Sequence, residues 1–294
     1  MNEVLAALDC SFAAKPVLAT AQAVGEVLGA AVAGIHVGAD AEPTPRGLAE
    51  AAGVPLRVVQ GPVVDRLIEA GEDEATSVLV IGARGIPTDP RPLGATAVSV
   101  ATSVQKPVVV VAPDAHPPAT IRRILVPLEG DLSSSVAPKV LLEPAPHAEL
   151  DLVALHVFGP DAIPAFDDQP YYEQEARAQE FLARYCPWGP ARVRLATRVG
   201  RREEEVARAA AEFACDMIVL GWSQRFTAGR ARVVRGTLER CTTPVMLFPV
   251  GRQPGTRPSF VNHASGSGPR SCQRTRPDGR NAPVQVGSHT RRWS

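Results

Sequence analysis

Apolar runs alternate with stretches of helical period along most of the chain. Residues 3–8, 31–37, 55–60, 77–82 and 107–112 read as strands. Between them the apolar positions recur at helical spacing, as where Val17, Leu18, Ala21, Val24 and Leu28 share one helix face. Runs such as Val108-Val-Val-Val111 have no polar alternation, so both of their faces need cover, and a parallel sheet between two helical layers is expected. The pattern then starts again. Strands are predicted near 123–128, 150–157, 191–197, 216–221 and 244–249, and helices near 133–143, 171–185, 202–213 and 230–241.

The second series repeats the first residue by residue. Val4-Leu-Ala-Ala-Leu8 and Asp9 return as Ile124-Leu-Val-Pro-Leu128 and Glu129, and Gly34-Ile-His-Val37 returns as Ala154-Leu-His-Val157, both 120 residues later. Val78-Leu-Val-Ile-Gly82 matches Met217-Ile-Val-Leu-Gly221 at an offset of 139, so 19 residues are inserted after the second strand of the second copy. Lys106-Pro-Val-Val-Val110 matches Thr243-Pro-Val-Met-Leu247 at 137, so about two residues are missing later. A repeat this long is a whole domain. The expected organisation is α/β, with two tandem doubly wound five-stranded parallel sheets, residues 1–116 and 117–250, split at the proline-rich Pro113-Asp-Ala-His-Pro-Pro118.

The formal charge of zero conceals an uneven distribution. Residues 251–294 hold eight Arg and one acid, which leaves 23 basic and 30 acidic side chains in residues 1–250. This Arg-, Gly-, Pro- and Ser-rich tail lacks the aliphatic content needed to offset the entropy of ordering, so disorder is expected. Its only aromatic residues are Phe260 and Trp293, which argues against nucleic-acid binding and for a solvated tail. No apolar run is long enough for a bilayer, and Met1-Asn-Glu leads directly into a strand with no export signal. The five cysteines show no paired spacing and read as free thiols in a reducing cytoplasm.

In an open parallel sheet, ligands bind beyond the carboxyl ends of the strands. In the first copy, Asp9, Val37 and the segment Gly82-Ala-Arg84-Gly85 fall there, and Gly94-Ala-Thr96 opens the next helix. A carboxylate there can accept bonds from a ribose or base, and bare glycine backbone and helix amides suit phosphate.

With these residues the chain resembles the universal stress protein family over residues 1 to about 250, in tandem form. Members share an acid after strand one and the motif Gly, two residues, Gly, nine residues, Gly, then Ser or Thr. Here eight residues separate Gly85 from Gly94, and Ala95 stands where the hydroxyl residue is expected, with Thr96 beside it. The resemblance implies that Asp9 and the Val37 backbone hold ribose and adenine, and that Gly82, Gly85, Gly94 and Thr96 hold the phosphates of ATP with magnesium. Arg84 belongs to the same cofactor-binding set. It also implies a cytoplasmic stress-response module whose repeats pair through their last strands, leaving a homodimer and an unknown protein partner open. The alternatives are a scaffold that binds no nucleotide and a weak ATPase.

The second copy departs from the motif. Glu129 replaces Asp9, Gln224 replaces Gly85, no third glycine has the spacing, and Trp222, Arg225 and Arg230 crowd the same edge. It reads either as a degenerate site or as an altered anion site built from arginines. His36 and His156 are expected to be half-buried structural residues, the run from Arg201 to Glu205 with Arg208 a solvated helix face, and Asp167-Asp168 a helix start. No Walker loop, nucleophile elbow, zinc-protease motif or dinucleotide fingerprint is present.

Overall fold

In the computed structural model, residues 2–38, 43–84, 93–117, 119–128, 150–159, 192–226 and 231–250 are described. The helices expected at 133–143 and 171–185, Asp167-Asp168 and the tail from residue 251 lie outside them. The strands are β1 Glu3–Ala7, β2 Ala31–Val37, β3 Leu56–Val59, β4 Thr76–Gly82, β5 Val108–Val111, β6 Arg123–Pro127, β7 Asp151–Phe158, β8 Arg192–Val199, β9 Met217–Trp222 and β10 Val245–Pro249. The helices are α1 Ala14–Leu28, α2 Pro43–Ala51, α3 Val63–Glu72, α4 Ala95–Ser103, α5 Arg202–Glu212 and α6 Arg232–Arg240.

All ten strands form one sheet, ordered β3-β2-β1-β4-β5-β10-β9-β6-β7-β8. Neighbours within each repeat are parallel. The two five-stranded halves meet where β5 and β10 run antiparallel, with Val110 opposite Val245, Val109 opposite Met246 and Val108 opposite Leu247. The repeats therefore share a continuous sheet in place of two separate ones. The reason lies in β5: all four of its valines are buried, and an edge strand this apolar needs a neighbour. The described residues fall within one compact unit, Met1–Arg252.

The side-chain period of two divides the core between the two faces. Val4, Ala6, Val78, Val80, Val109, Ile124, Met217 and Met246 point to one face, where α1 covers the first repeat with Val17, Ala21 and Val24. Leu5, Leu79, Val108, Val110, Leu125, Ile218 and Leu247 point to the other, under α3, α4, α5 and α6. Helix α1 ends where Gly29 takes a left-handed conformation, φ 60°, and its amide reaches Glu26 O.

Candidate functional site

The chain steps outward from β1 to β2 to β3 and then crosses back to place β4 on the other side of β1. Strand order reverses between β1 and β4, and the loops leaving their carboxyl ends diverge there to form a crevice. A cavity of about 310 Å³ opens at this point. Asp9, Val37, Gly82, Arg84, Gly94 and Thr96 all line it, while Gly85 lies outside the described residues. Its apolar wall comes from Ala13, Ala14 and Val17 of the α1 approach and Val63 and Leu67 of α3. That wall was not foreseen from the sequence. Its only signal is Ala13-Ala14, two small residues where α1 starts beside the strand end.

Asp9 is exposed, and its Oδ1 accepts from the Ser11 amide at 2.9 Å and the Ser11 hydroxyl at 2.6 Å. Ser11 Oγ in turn accepts from the Ala13 amide at 3.2 Å. This local turn fixes the carboxylate at the mouth of the cavity; the Asp-x-Ser spacing is its sequence signal. Behind it, His36 is buried with Nδ1 2.8 Å from Leu8 O. A carbonyl can only accept, so Nδ1 carries the proton and the ring ties β2 to the end of β1. His156 repeats the contact at 3.1 Å from Leu128 O and meets Phe158 edge to face at 4.6 Å. Both histidines hold strand ends in place.

The glycines differ in what they do. A Cβ on Gly82 would meet only ordinary contacts, the nearest being Ala13 Cβ at 3.4 Å, so the surrounding fold does not require a glycine there. A Cβ on Gly94 would stand 3.2 Å from Ala83 O, and the Gly94 amide donates to that same oxygen at 2.8 Å. Gly94 therefore closes a loop, and its amide is already engaged. The donors open to a ligand are the next ones: α4 has no side-chain cap, and the amides of Ala95, Thr96 and Ala97 have no partner among the described residues.

The second repeat builds a different edge. Gln224 stands where the repeat places Gly85 and adopts φ 56°, a left-handed conformation that favours glycine. Its side chain does not fill a phosphate space. It reaches into the first repeat, and Nε2 donates to Val104 O, at the end of α4, at 2.6 Å. Trp222, at the position of Ala83, is 6% exposed and packs on Phe226 with ring centroids 5.0 Å apart, so an indole occupies the place of a methyl. Arg225 is exposed; Glu129 and Arg230 lie outside the described residues.

The acidic run on α5 is not a wholly solvated face. Glu203 and Glu205 are 5% and 6% exposed. Glu203 is pinned against α6, where a Cβ on Gly236 would come within 2.5 Å of Glu203 Cβ. Arg208 pairs with Glu205, and Arg201 lies 3.4 Å from Glu203 and 3.2 Å from Glu204. Helix packing, which the local charge pattern does not encode, decides this burial.

Burial raises the Cys215 thiol from 9.0 to about 11 and the Cys241 thiol to about 12, against the opposing pull of Arg123 and Arg240 respectively. Cys10 is exposed. Iodoacetamide at pH 8 should alkylate Cys10 and spare Cys215 and Cys241, as read by peptide mass mapping; rapid native labelling of the buried pair would contradict their placement. The unfolded thiols ionise first. The stability these two groups contribute should be complete below about pH 9 and lost as pH rises toward their folded values.

Among the described residues, no group of three or more His, Cys, Asp or Glu is placed to hold a metal. No described helix is long and apolar enough to cross a membrane.

The sequence model of the universal stress protein family matches residues 120–249. No curated protein sequence matches the chain significantly. Among solved structures, a protein of unknown function from Pseudomonas aeruginosa PAO1 is similar with a TM-score of 0.61 and 14% identity, covering 85% of this chain and 92% of that one. A protein from Pseudomonas aeruginosa UCBPP-PA14 provisionally described as a universal stress protein gives 0.60 and 15% over 85% and 93%. A universal stress protein from Archaeoglobus fulgidus DSM 4304 gives 0.58 and 17% over 85% and 99%. At these identities the likeness shows a shared fold.

Proposed function

We propose that the chain, whose residues 120–249 match the universal stress protein family model, is a tandem nucleotide-binding module of that kind that takes one ATP per chain, in the first-repeat cavity. Residues 1–116 and 117–250 serve as its two domains, with 251–294 as a basic tail, and it acts in the cytoplasm as a stress-response regulator. The supporting observation is the convergence of Asp9, Val37, Gly82, Arg84, Gly94 and Thr96 on one cavity at the switch point of the sheet. Asp9 would take the ribose, the Val37 backbone the adenine, and Gly82 the close approach of phosphate. Thr96 and the first-turn amides of α4 would bind the phosphates, as would Gly85. Magnesium would arrive on the phosphates themselves.

Signalling by occupancy fits this site better than turnover. Among the described residues lining the cavity the one carboxylate is Asp9, whose Oδ1 accepts from Ser11, and a hydrolase needs a base aimed at the attacking water. In the second repeat, Trp222 and Gln224 favour a scaffold role, because both are spent on packing and on the contact with α4.

Calorimetric titration with ATP and magnesium tests this reading. We expect a stoichiometry near one, with Asp9→Ala weakening binding by about 1–3 kcal/mol, the scale of a lost charge-assisted hydrogen bond. Glu129→Ala should change affinity little. Two equivalent sites would refute the asymmetry between the repeats. Absence of heat or thermal shift at millimolar ATP would favour a scaffold without nucleotide.

A further inference from the structure

Gln224 is held in a conformation that its own Cβ disfavours. Its φ of 56° is left-handed, where glycine is the natural occupant, and the first repeat does carry a glycine, Gly85, at this position. Strain of this kind persists where the surrounding structure makes use of it. Here the use is a contact. Nε2 donates to Val104 O at 2.6 Å and lies 3.5 Å from Ala101 O, so the side-chain amide sits across the last carbonyls of α4. The final carbonyls of a helix have no partner within it, and this donor comes from the other repeat.

The two meet because β5 and β10 run antiparallel. The edge of the second repeat where loops follow its strands therefore lies beside the edge of the first where strands begin, and there α4 ends. Helix α4 thus runs from the cavity edge of the first repeat to the corresponding edge of the second. Thr96 and Ala97 of its first turn line the cavity, and its far end, nine residues or about 13 Å along, rests on Gln224.

Val104 carries the contact further. It is fully buried, and its methyls pack on Gly71 of α3, where an added Cβ would stand 3.1 Å from them. Helix α3 in turn supplies Val63 and Leu67 to the cavity wall. A shift of Val104 is therefore passed to both helices that bound the cavity, since close-packed elements transmit displacement and do not absorb it.

We propose that Gln224 couples the second repeat to the first-repeat cavity. It anchors α4 from the far end, so that the loop after β9 sets how firmly the cavity walls are held, and a ligand in the cavity is felt at that loop in return. The exchange of glycine for glutamine turns the edge of the second repeat into a regulatory contact on the first. That the ligand is ATP rests on the reading above; the coupling itself rests on Gln224, α4 and α3.

The test compares the full chain as wild type, Gln224→Gly and Gln224→Asn. Glycine suits the left-handed backbone and asparagine tolerates it, while the first lacks the amide and the second is one methylene shorter, so both remove the contact and keep the turn. Amide hydrogen exchange followed by NMR reads α4 without ligand. Both variants should exchange faster at residues 98–101, toward the cavity, as well as at Val104, with α1 at its wild-type rates. Calorimetric titration should show ATP affinity lowered about 3- to 10-fold, the net effect of one lost hydrogen bond. ATP should slow exchange at residues 222–226 in the wild type and not in the variants. Faster exchange confined to Val104 and Gln105, or wild-type ATP affinity in both variants, would make Gln224 a local cap and overturn the coupling. A fall of many degrees in the melting temperature of both variants would make it a framework contact and overturn the coupling as well. If the wild type binds no ATP, the nucleotide reading fails, and exchange at residues 98–101 decides the coupling by itself.

Discussion

Replacing Val109 with aspartate is expected to destabilise the protein by about 3–5 kcal/mol, the cost of leaving a charge buried without a partner. Val109 is fully buried in β5, and its partner across the antiparallel junction is Met246, 1% exposed in β10. A carboxylate there has no donor to meet, since the residues around it, Val111, Val80 and Met246, are aliphatic or thioether. Typical domains have about 5–15 kcal/mol in total, so this single change consumes a large share of that stability. The damage is not confined to one repeat. Parting β5 from β10 exposes an apolar edge on each half, which invites strand-to-strand aggregation. Urea denaturation followed by circular dichroism, with size-exclusion chromatography of the native sample, measures both effects. A loss under about 1 kcal/mol would mean that the junction is not part of the folded core.

Truncating matched leucines in the two repeats should cost nearly the same. Leu5 in β1 and Leu125 in β6 are equivalent positions, both 0% exposed and both on the face covered by α3 to α6. Leu→Ala at either should cost about 2–5 kcal/mol, from lost transfer energy and the cavity left behind. Because one sheet carries both, each variant should shift a single unfolding transition as a whole. If Leu5→Ala splits the transition and leaves residues 117–250 folded, the repeats are independent folding units despite the shared sheet.

Much of the architecture could be read along the chain because parallel strands buried on both faces leave a plain trace. Ile124-Leu-Val126 and Met217-Ile-Val-Leu220 are continuous apolar runs, and the expected strands agree with the observed ones to within a residue or two. The repeat offset then related the second set of strands to the first. The candidate site was legible for a related reason: in a parallel sheet every loop that follows a strand emerges on the same edge, so Asp9, Val37 and Gly82 had to lie near one another once their strands were recognised. Asp9, Val37, Gly82, Arg84, Gly94 and Thr96 do surround one cavity.

Other features depend on partners far away in sequence. Gly94 looks like a bare amide offered to phosphate, but the fold brings Ala83 O within 2.8 Å and uses that amide. Gln224 stands in sequence only as a replacement for the motif glycine, yet it reaches Val104, 120 residues earlier, because β5 and β10 are neighbours. Glu203 and Glu205 follow a solvated charge pattern and are buried all the same, Glu203 against Gly236 of α6 and Glu205 against Gly200. The shielding of Arg84 Nε and Nη1 has no sequence signature at all. Side-chain periodicity and strand identity are local properties, carried by residues within a few positions of one another, and the repeat is a likeness between such segments along the chain; the sequence determined all three. Which amide is engaged, which charge is covered and which edges join are set by pairs of residues brought together only when the ten strands assemble, and these the tertiary structure decided.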